Sequence, residues 1–301
     1  MRKQSLTPAE KSANKKRLKT NLGTAIAYIV LIVLAVIWLY PILWIFLHSF
    51  RAVYRVPDEL YGIVTSNYFP SGYGFDVYKE LFFETQFPRW FLNTLIVALA
   101  SFIISTTMQL SVAYVMSKIK FKQRKFFLNI AIILGLFPGF MSMIAIYFIL
   151  KAFGLTGSLF ALVLVYSAGS GLGFYIAKGF FDIIPNSLVE AAKIDGASNA
   201  QIFSKIILPI SKPIIIYTAL MTFIGPWMDF IFARVIIGVA NTDNYTVAIG
   251  LYDWMFGEHA DTNNFTLFAA GSVIVAIPIV TLFLSLQKYY VEGVTTGSVK
   301  G

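Results

Sequence analysis

The stretch of the sequence with the most informative residue types and spacing lies between positions 185 and 209. Two short helices are predicted there, because Ser187 precedes Glu190 by three residues and Ser198 precedes Gln201 by three, which is the spacing of a capping box. Gly196 lies between the two helices, where a residue that accepts a positive φ angle ends the first of them. The stretch therefore reads as a helix pair around a glycine bend.

Both predicted helices are amphipathic, and Pro209 and Pro213 are expected to end the second. Apolar and small residues fall on one side of each helix: Leu188, Ala191 and Ala192, then Ile202, Phe203 and Ile206. A rigid knob of this kind suits the docking of a partner protein rather than the making or breaking of bonds. A purely local alternative remains, in which Glu190 only caps a helix and Gly196 only forms a turn.

Residues for metal-dependent or covalent catalysis are scarce. The sequence has no Cys and two isolated His residues, His48 and His259, which are too few ligands for a metal site built from these types. We interpret both His residues as interfacial polar side chains. No G-x-x-x-x-G-K-[ST] phosphate loop occurs, so the chain is not expected to hydrolyse ATP by that route. We predict a protein that is not an enzyme and that binds no cofactor or metal itself.

The composition is that of a membrane protein. Of 301 residues, 57% are hydrophobic and 13% are charged, against about 45–50% apolar and about 25% charged residues in soluble domains. The net charge of +9 is concentrated in runs that directly abut apolar stretches. Nucleic-acid surfaces instead interleave basic residues with loops and exposed aromatics, so we expect membrane lipid and not nucleic acid as a partner.

Six apolar segments are long enough to cross a hydrocarbon core about 30 Å thick, which takes about 20 helical residues. They are residues 22–47, 90–116, 127–150, 159–180, 213–235 and 265–287. The first is too long for a signal peptide and is predicted to remain as a helix. The predicted fold is an all-α integral membrane protein with six transmembrane helices. Its expected parts are a basic N-terminal segment (1–21), a membrane domain (22–288) that includes a loop at 181–212, and a tail (289–301).

Basic residues divide unequally between the two sides of this topology. Eighteen of the 24 Lys and Arg residues fall in the N-terminal segment, in 118–125, in 178–212 and from Lys288 to the end. Positively charged flanks are retained in the cytoplasm during insertion. Both termini and the 181–212 loop are therefore predicted to be cytoplasmic.

Three predicted spans contain residues that interrupt helices, at 137–139, 169–173 and 225–226. Backbone without helical hydrogen bonds persists at membrane depth where protein or a water-filled cavity satisfies it. The alternative is that Gly permits close helix packing and Pro only kinks the helix. The candidate pathway or gate residues are Asn93, Pro138, Gly139, Gly225, Pro226 and Asp229.

Small and polar residues follow one face of the second span at three- and four-residue steps: Thr94, Ala98, Ser101, Ser105 and Gln109. Such a face meets protein or water, and helix packing is the favoured interpretation. Charged residues inside the spans are few, with Asp229 and Arg234 as the main examples. The scarcity of buried charge and the lack of a convincing inverted repeat argue against an ion-coupled carrier.

The spacing of the 185–209 stretch as a whole resembles one family. Glu190-Ala191-Ala192, then Gly196 and then Ile206-x-Leu208-Pro209 are similar to the cytoplasmic EAA loop of bacterial ABC-importer permeases. Other segments resemble the MalG-type permease subunits of maltose and maltodextrin importers: 87–90, 93–94, 137–141, 225–230, 244–246, 263–266 and 293–301. Thr296 departs from the Ala that relatives often have there. Permeases for other oligosaccharides belong to the same branch.

This resemblance implies a type I ABC importer permease fold, located as a multi-pass protein in a bacterial cell membrane. It also implies partners: a second homologous permease of the MalF type, two ATP-binding-cassette subunits that use ATP and Mg²⁺, and an extracytoplasmic sugar-binding protein at the outer loop 238–264. Sugar contacts are attributed mainly to the other permease. The residues that the resemblance places at the ATPase subunits are Glu190, Ala191, Ala192, Asp195, Gly196, Ala197, Ile206, Leu208 and Pro209, together with the tail residues Gly297, Lys300 and Gly301.

Two other functions remain open at this point. One is the same permease class acting on another oligosaccharide, of the raffinose or multiple-sugar type. The other is a self-contained secondary sugar carrier, which should transport without any partner.

Overall fold

The computed structural model describes residues 8–52, 69–70, 72–168, 173–257, 260–261 and 264–296, with side chains from residue 21 to residue 287 within these ranges. Regular structure in this part of the chain is helical, apart from one antiparallel bridge between Arg51 and Tyr73. The prediction of an all-α protein is confirmed.

The helices of the described ranges are named here in chain order. They are α1 Pro8–His48, α2 Asp76–Phe83, α3 Phe87–Lys118, α4 Arg124–Gly135, α5 Gly139–Ala152, α6 Leu159–Ala168, α7 Gly173–Ile183, α8 Asn186–Ile194, α9 Asn199–Ile210, α10 Lys212–Met228, α11 Ile231–Ile237, α12 Val247–Phe256 and α13 Phe265–Thr296. A short 3₁₀ turn occupies Thr242–Asn244.

Four helical stretches are long and apolar enough to cross a membrane: Asn21–His48, Phe87–Lys118, Leu159–Ile183 and Phe265–Gln287. Two further pairs of helices meet the test as bent units, which brings the number to as many as six. Residues 169–172, inside the third stretch, lie outside the described residues, so the expected loosening there stays a prediction. Helix α13 continues to Thr296, so the first part of the predicted tail is helical.

The predicted third span, 127–150, is two helices that meet at 100°. Pro138 stands directly before α5 with φ −57° and ψ 123°, which is extended rather than helical backbone. Proline has no N–H to donate and restricts the residue before it, so α4 ends at Gly135 and a new helix begins at Gly139. The interruption predicted at residues 137–139 is confirmed.

The predicted fifth span, 213–235, is also divided, but not at the predicted residues. Gly225 and Pro226 lie inside α10, which continues to Met228. The break comes at Asp229, whose ψ of 112° leaves the helical region. The Asp229 Oδ1 atom accepts a hydrogen bond of 3.0 Å from the backbone N–H of Phe232. This side-chain cap gives α11 a start, and so the helix changes direction one turn after the proline rather than at it.

Helix α3 passes through both apolar clusters of the described chain. Phe87, Trp90 and Val97 belong to a cluster at one end, and Leu110 and Tyr114 belong to a cluster at the other. The small and polar face of α3 is buried along its length, with exposed fractions of 7% or less: Thr94, Ala98, Ser101, Ser105 and Gln109. The prediction that this face meets protein is confirmed.

Helix α1 lies apart from the rest of the bundle. Residues 21–42 are exposed, and burial begins near the end of the helix. There the Trp44 ring contacts the Phe265 ring with centroids 5.1 Å apart, and the His48 and Phe265 rings are 5.4 Å apart. His48 is fully buried among these rings, and its predicted position at the membrane interface stays a prediction. His259 lies outside the described residues.

Candidate functional site

The first helix of the 185–211 loop begins differently from its prediction. Pro185 is the residue before α8, and no side chain caps the helix at this end. The fixed φ angle of Pro185, −57°, sets the boundary one residue before Asn186. Ser187 is therefore already inside the first turn, and the capping box predicted for Ser187 and Glu190 is wrong.

The second capping box is confirmed. The Ser198 Oγ atom accepts a hydrogen bond of 3.3 Å from the backbone N–H of Gln201. The Gln201 Oε1 atom in turn accepts one of 2.8 Å from the backbone N–H of Ser198. Two backbone donors at the start of α9 are thus satisfied by two side chains, which fixes the direction of the chain as it enters the second helix.

The turn between the two helices depends on Gly196, whose φ angle is +81°. The N–H of Gly196 donates to the carbonyl of Lys193 at 3.1 Å, and the N–H of Ala197 donates to the carbonyl of Ala192 at 2.9 Å. This pair of bonds is the Schellman motif, in which the left-handed residue directly follows the helix. The predicted glycine bend is confirmed with its geometry.

The second helix ends at Ile210, one residue past Pro209 and before Pro213, the two prolines that were expected to end it. Phe203–Ile207 form a π-helical turn inside α9, and the helical stretch continues through Pro209 to Ile210. Pro209 has no N–H to return to the carbonyl one turn earlier, and its ring needs space there. A wider turn immediately before the proline provides this space and allows the helix to continue. The direction changes at Ser211, where α9 and α10 meet at 90°.

One side of the helix pair is packed and the other is exposed. Val189, Ala192, Ile202 and Ile207 are buried in the same cluster as Tyr114. The residues that the family resemblance singled out are exposed or partly exposed apart from Ala192: Glu190, Ala191, Asp195, Gly196, Ala197, Ile206, Leu208 and Pro209. Leu188 and Ala191, which were placed on the apolar side of the first helix, are exposed.

Ile194 is a residue of this exposed side that the sequence analysis did not select. Its side chain is 87% exposed and lies directly before Asp195 and Gly196. A branched apolar side chain at the tip of a rigid turn adds contact area for a partner without contributing to the core. In the sequence, the position of Ile194 directly before Asp195 and Gly196 is the feature that could have identified it as a docking residue.

Lys118 attaches the loop to the membrane helices, and sequence reasoning counted it only as a topological charge. Its Nζ atom donates to the carbonyl of Ile184 at 2.6 Å and to the Asn186 Oδ1 atom at 3.1 Å. The side chain is buried, with 8% of the residue exposed. Next to it, the Ser117 Oγ atom donates to the Asp182 Oδ1 atom at 2.6 Å. The last turn of α3 is thereby hydrogen-bonded to the first residue of α8.

The other end of α3 holds the 238–246 loop. The Trp90 Nε1 atom donates to the carbonyl of Thr242 at 3.0 Å. The Asn93 Nδ2 atom donates to the carbonyls of Asp243 and Tyr245 at 2.8 and 3.0 Å. Asn93, a candidate pathway residue, therefore binds loop backbone and is not among the residues that line the two cavities described next.

Two adjoining cavities lie where the helices break. The first, of about 440 Å³, is lined by Gly139, Phe140, Ser142, Met143, Ile146, Val165, Asp229, Ile231 and Phe232. The second, of about 320 Å³, shares Val165 and Phe232 and adds Gly225 and Pro226. The structure thus brings four of the six candidate pathway residues to two neighbouring cavities, and Pro138 stands directly before Gly139.

Asp229 is the charged group of this region and is held by two hydrogen bonds. The Tyr166 hydroxyl donates to its Oδ2 atom at 2.7 Å, and the Phe232 N–H donates to its Oδ1 atom. Arg234, the other charged residue predicted inside the spans, is not among the residues that line these two cavities. Its guanidinium donates to the Tyr245 hydroxyl at 2.6 Å and to an Asp253 carboxylate oxygen at 3.4 Å.

No cluster of three or more potential metal ligands occurs among the described residues. The predicted tail residues Gly297, Lys300 and Gly301 lie outside the described residues, and their contact with ATPase subunits stays a prediction.

Comparison with known proteins places the chain in a family. It belongs to the binding-protein-dependent transport system inner membrane components, which it matches over residues 109–296. This is a family of multi-pass transport components of the ABC type, without an ATPase site of their own.

Two similar proteins align over nearly the whole chain. The galactooligosaccharides transport system permease protein GanQ of Bacillus subtilis is 34% identical over 91% of this chain and 95% of its own. The maltodextrin transport system permease protein MalD of Streptococcus pneumoniae is 32% identical over 96% of this chain and 99% of its own. These names agree with the carbohydrate branch of the resemblance without singling out the MalG type.

A solved structure has the same fold. A chain of a bacterial ABC transporter involved in the import of the acidic polysaccharide alginate aligns with a TM-score of 0.75, at 20% identity, over 96% of this chain and all of that one. The fold is therefore the type I ABC importer permease fold, as predicted.

Proposed function

We propose that this chain is the permease subunit of an ATP-driven oligosaccharide importer in a bacterial cell membrane. Two relatives that align over more than nine-tenths of the chain are named as permeases for galactooligosaccharides and maltodextrin, which supports an oligosaccharide substrate. Maltose or short maltodextrins are the proposed substrates, and galactooligosaccharides are the second candidate. A stand-alone secondary carrier is not favoured, because the family is one of binding-protein-dependent systems.

The 185–211 loop is the proposed docking element for the ATPase subunits. The observation that carries this proposal is a rigid helix pair whose exposed side includes Glu190, Ile194 and Gly196, none of which the fold buries. Lys118 joins that element to α3, so a force applied at the loop reaches the membrane helices.

The proposed complex has further members. They are a second homologous permease of the MalF type, two ATP-binding-cassette subunits that use ATP and Mg²⁺, and an extracytoplasmic sugar-binding protein that contacts the outer loop 238–264. The tail residues Gly297, Lys300 and Gly301 are proposed to reach between the ATPase subunits.

The proposed orientation, with both termini in the cytoplasm, is testable by labelling because the native chain has no Cys. Lys79 has a side chain that is 74% exposed, and Ala200 is also exposed. A membrane-impermeant maleimide should label Lys79→Cys in intact cells, and Ala200→Cys only after permeabilisation. Labelling of Ala200→Cys in intact cells would show that the orientation is reversed.

Reconstitution tests the function itself. The purified chain alone in liposomes should neither hydrolyse ATP nor take up sugar, because the sequence contains no phosphate loop. With its permease partner, the two ATPase subunits and the binding protein, it should import maltodextrin, and the sugar-loaded binding protein should raise the rate of ATP hydrolysis.

A proton or sodium gradient should not replace ATP in this assay, because few ionisable groups lie inside the spans. Gradient-driven uptake by the chain alone would contradict the ABC importer proposal. ATP-driven uptake of galactooligosaccharides but not maltodextrin would contradict the substrate proposal and leave the class of transporter standing.

A further inference from the structure

We infer that this subunit has a carbohydrate-contact site of its own, in the cavity between α5 and the break at Asp229. The inference rests on the proposed function, since it assumes that the cargo is an oligosaccharide. It differs from what the family resemblance implies, which assigns sugar contacts mainly to the partner permease.

The position of Asp229 is the first argument. Helix α10 has 17 residues, so its end lies about 25 Å from Lys212 at 1.5 Å per residue. Counted from a start of the span at Lys212, this position is inside a hydrocarbon core of about 30 Å, toward its outer side. A carboxylate at such depth faces the bundle interior or a water-filled cavity, because contact with lipid is costly. The open side of the cavity is therefore expected to face the transport pathway.

The second argument concerns the hydrogen-bonding capacity of the Asp229 carboxylate. An ionised carboxylate offers about four acceptor sites. The Tyr166 hydroxyl and the Phe232 N–H each use one of them, on different oxygens. These two bonds fix the orientation of the carboxylate, while both oxygens retain capacity to accept hydrogen bonds from sugar hydroxyls. Bonds to a charged acceptor are among the stronger ones, and a fixed acceptor loses little entropy on binding.

The apolar part of the cavity is the third argument. The Phe140 side chain is 67% exposed and lines the same cavity as Asp229. A pyranose ring has an apolar face of C–H groups that packs on an aromatic side chain, while its hydroxyl groups point outward to polar partners. Mostly apolar walls with a few placed polar groups are typical of small-molecule sites, and about 440 Å³ is within their size range.

The second cavity provides a continuation that suits a polyhydroxylated cargo. It adds hydroxyl and amide side chains to the shared wall of Val165 and Phe232: Ser105, Gln109, Tyr166, Tyr217, Thr218 and Thr222. Of these, Ser105, Gln109 and Thr218 are buried, so the partly exposed Tyr166, Tyr217 and Thr222 are the ones available to a cargo. A helix cap at Asp229 would account for the bond to Phe232 alone. It leaves unexplained why the same carboxylate and an exposed phenyl ring line one cavity, with a series of hydroxyl groups in the neighbouring one.

The experiment uses the complete reconstituted transporter with sugar-loaded binding protein. Asp229→Asn preserves the cap and the shape of the side chain but removes the charge, and Phe140→Ala removes the aromatic surface. Each is expected to lower maltodextrin uptake about tenfold, which corresponds to about 1.4 kcal/mol. Stimulation of ATP hydrolysis by the binding protein should stay within about twofold of wild type, so that less sugar is moved per ATP.

Phe148→Ala is the matched control. Phe148 lies on the same helix with its side chain 60% exposed, and it is not among the residues that line the cavity. This variant should transport at the wild-type rate.

The outcomes separate the site from the proposed function. If the wild-type complex fails to import any oligosaccharide with ATP, the proposed function fails. If it imports sugar and both variants match it, the contact site fails alone. Equal loss of uptake and of ATPase stimulation would also overturn the inference, because it would assign Asp229 and Phe140 to conformational coupling rather than to sugar contact.

Discussion

Replacement of Gly196 by leucine is expected to abolish sugar uptake while leaving the membrane helices folded. Gly196 has a φ angle of +81°, where a side chain costs about 1–2 kcal/mol. A Cβ atom there would meet nothing within 4 Å, so the leucine side chain would project into open space beside Ile194. The change therefore acts on the geometry of the turn and on the surface offered to a partner. Uptake should fall by at least about a hundredfold if the ATPase subunits no longer dock, a loss of about 2.7 kcal/mol in coupling.

The controls for this prediction use the same position and the same exposed side. Gly196→Asn should retain most of the uptake, because Asn tolerates the left-handed region. Glu190→Lys should also abolish uptake, since it reverses a charge on the docking side without touching the turn. Co-purification with the ATPase subunits reports docking directly. Normal uptake by Gly196→Leu at normal expression would mean that the loop is only a connector.

Replacement of Gly250 by alanine is expected to destabilise the fold itself. A Cβ atom at Gly250 would lie within 3.0 Å of three atoms of the Trp90 ring. The indole has little freedom to move, because its Nε1 atom is bonded to the carbonyl of Thr242 and its ring lies 5.1 Å from that of Trp254. Overpacking of this kind costs about 1–3 kcal/mol. The thermal unfolding midpoint of the purified protein should fall by about 5 °C.

Gly179→Ala is the control for this substitution. Gly179 is also a helical glycine, and a Cβ atom there would meet nothing within 4 Å. Alanine is the better helix former, so this variant should unfold at the wild-type temperature or slightly above it. An unchanged unfolding midpoint in Gly250→Ala would show that the indole of Trp90 can move aside at little cost.

Features set by local spacing were predictable from the sequence. The glycine turn at Gly196, the capping box at Ser198 and the buried face of α3 depend on residues within a few positions of one another. The errors came where two local signals compete. Pro185 fixes the start of α8 before Ser187 can cap it, and a π-helical turn accommodates Pro209 inside α9. The sequence shows both Pro185 and Ser187 as possible starts of α8, and it shows Pro209 as a possible helix end. It does not show which signal determines the backbone.

The side-chain contacts that form the site could not be predicted from patterns within one segment of the sequence. Asp229 and Tyr166 are separated by 63 residues in the chain, and Lys118 and Asn186 by 68. Which polar side chains meet depends on how α3, α6 and α10 pack, and no periodicity within one helix specifies that. The break at Pro138 was visible as a sequence feature, and the one at Asp229 was expected three residues too early, whereas the cavity beside both was not visible.

Helix α3 is hydrogen-bonded at both ends, to α8 through Lys118 and to the 238–246 loop through Trp90 and Asn93. Its 32 residues span about 48 Å. The helix contains no glycine, and its one proline lies in the first turn, where it does not kink the helix. A straight helix that is hydrogen-bonded to other segments at both ends cannot tilt at one end without moving the segment bound at the other. In the proposed complex, ATPase docking at the 185–211 loop and binding-protein contact at the 238–246 loop would therefore act on the two ends of the same helix.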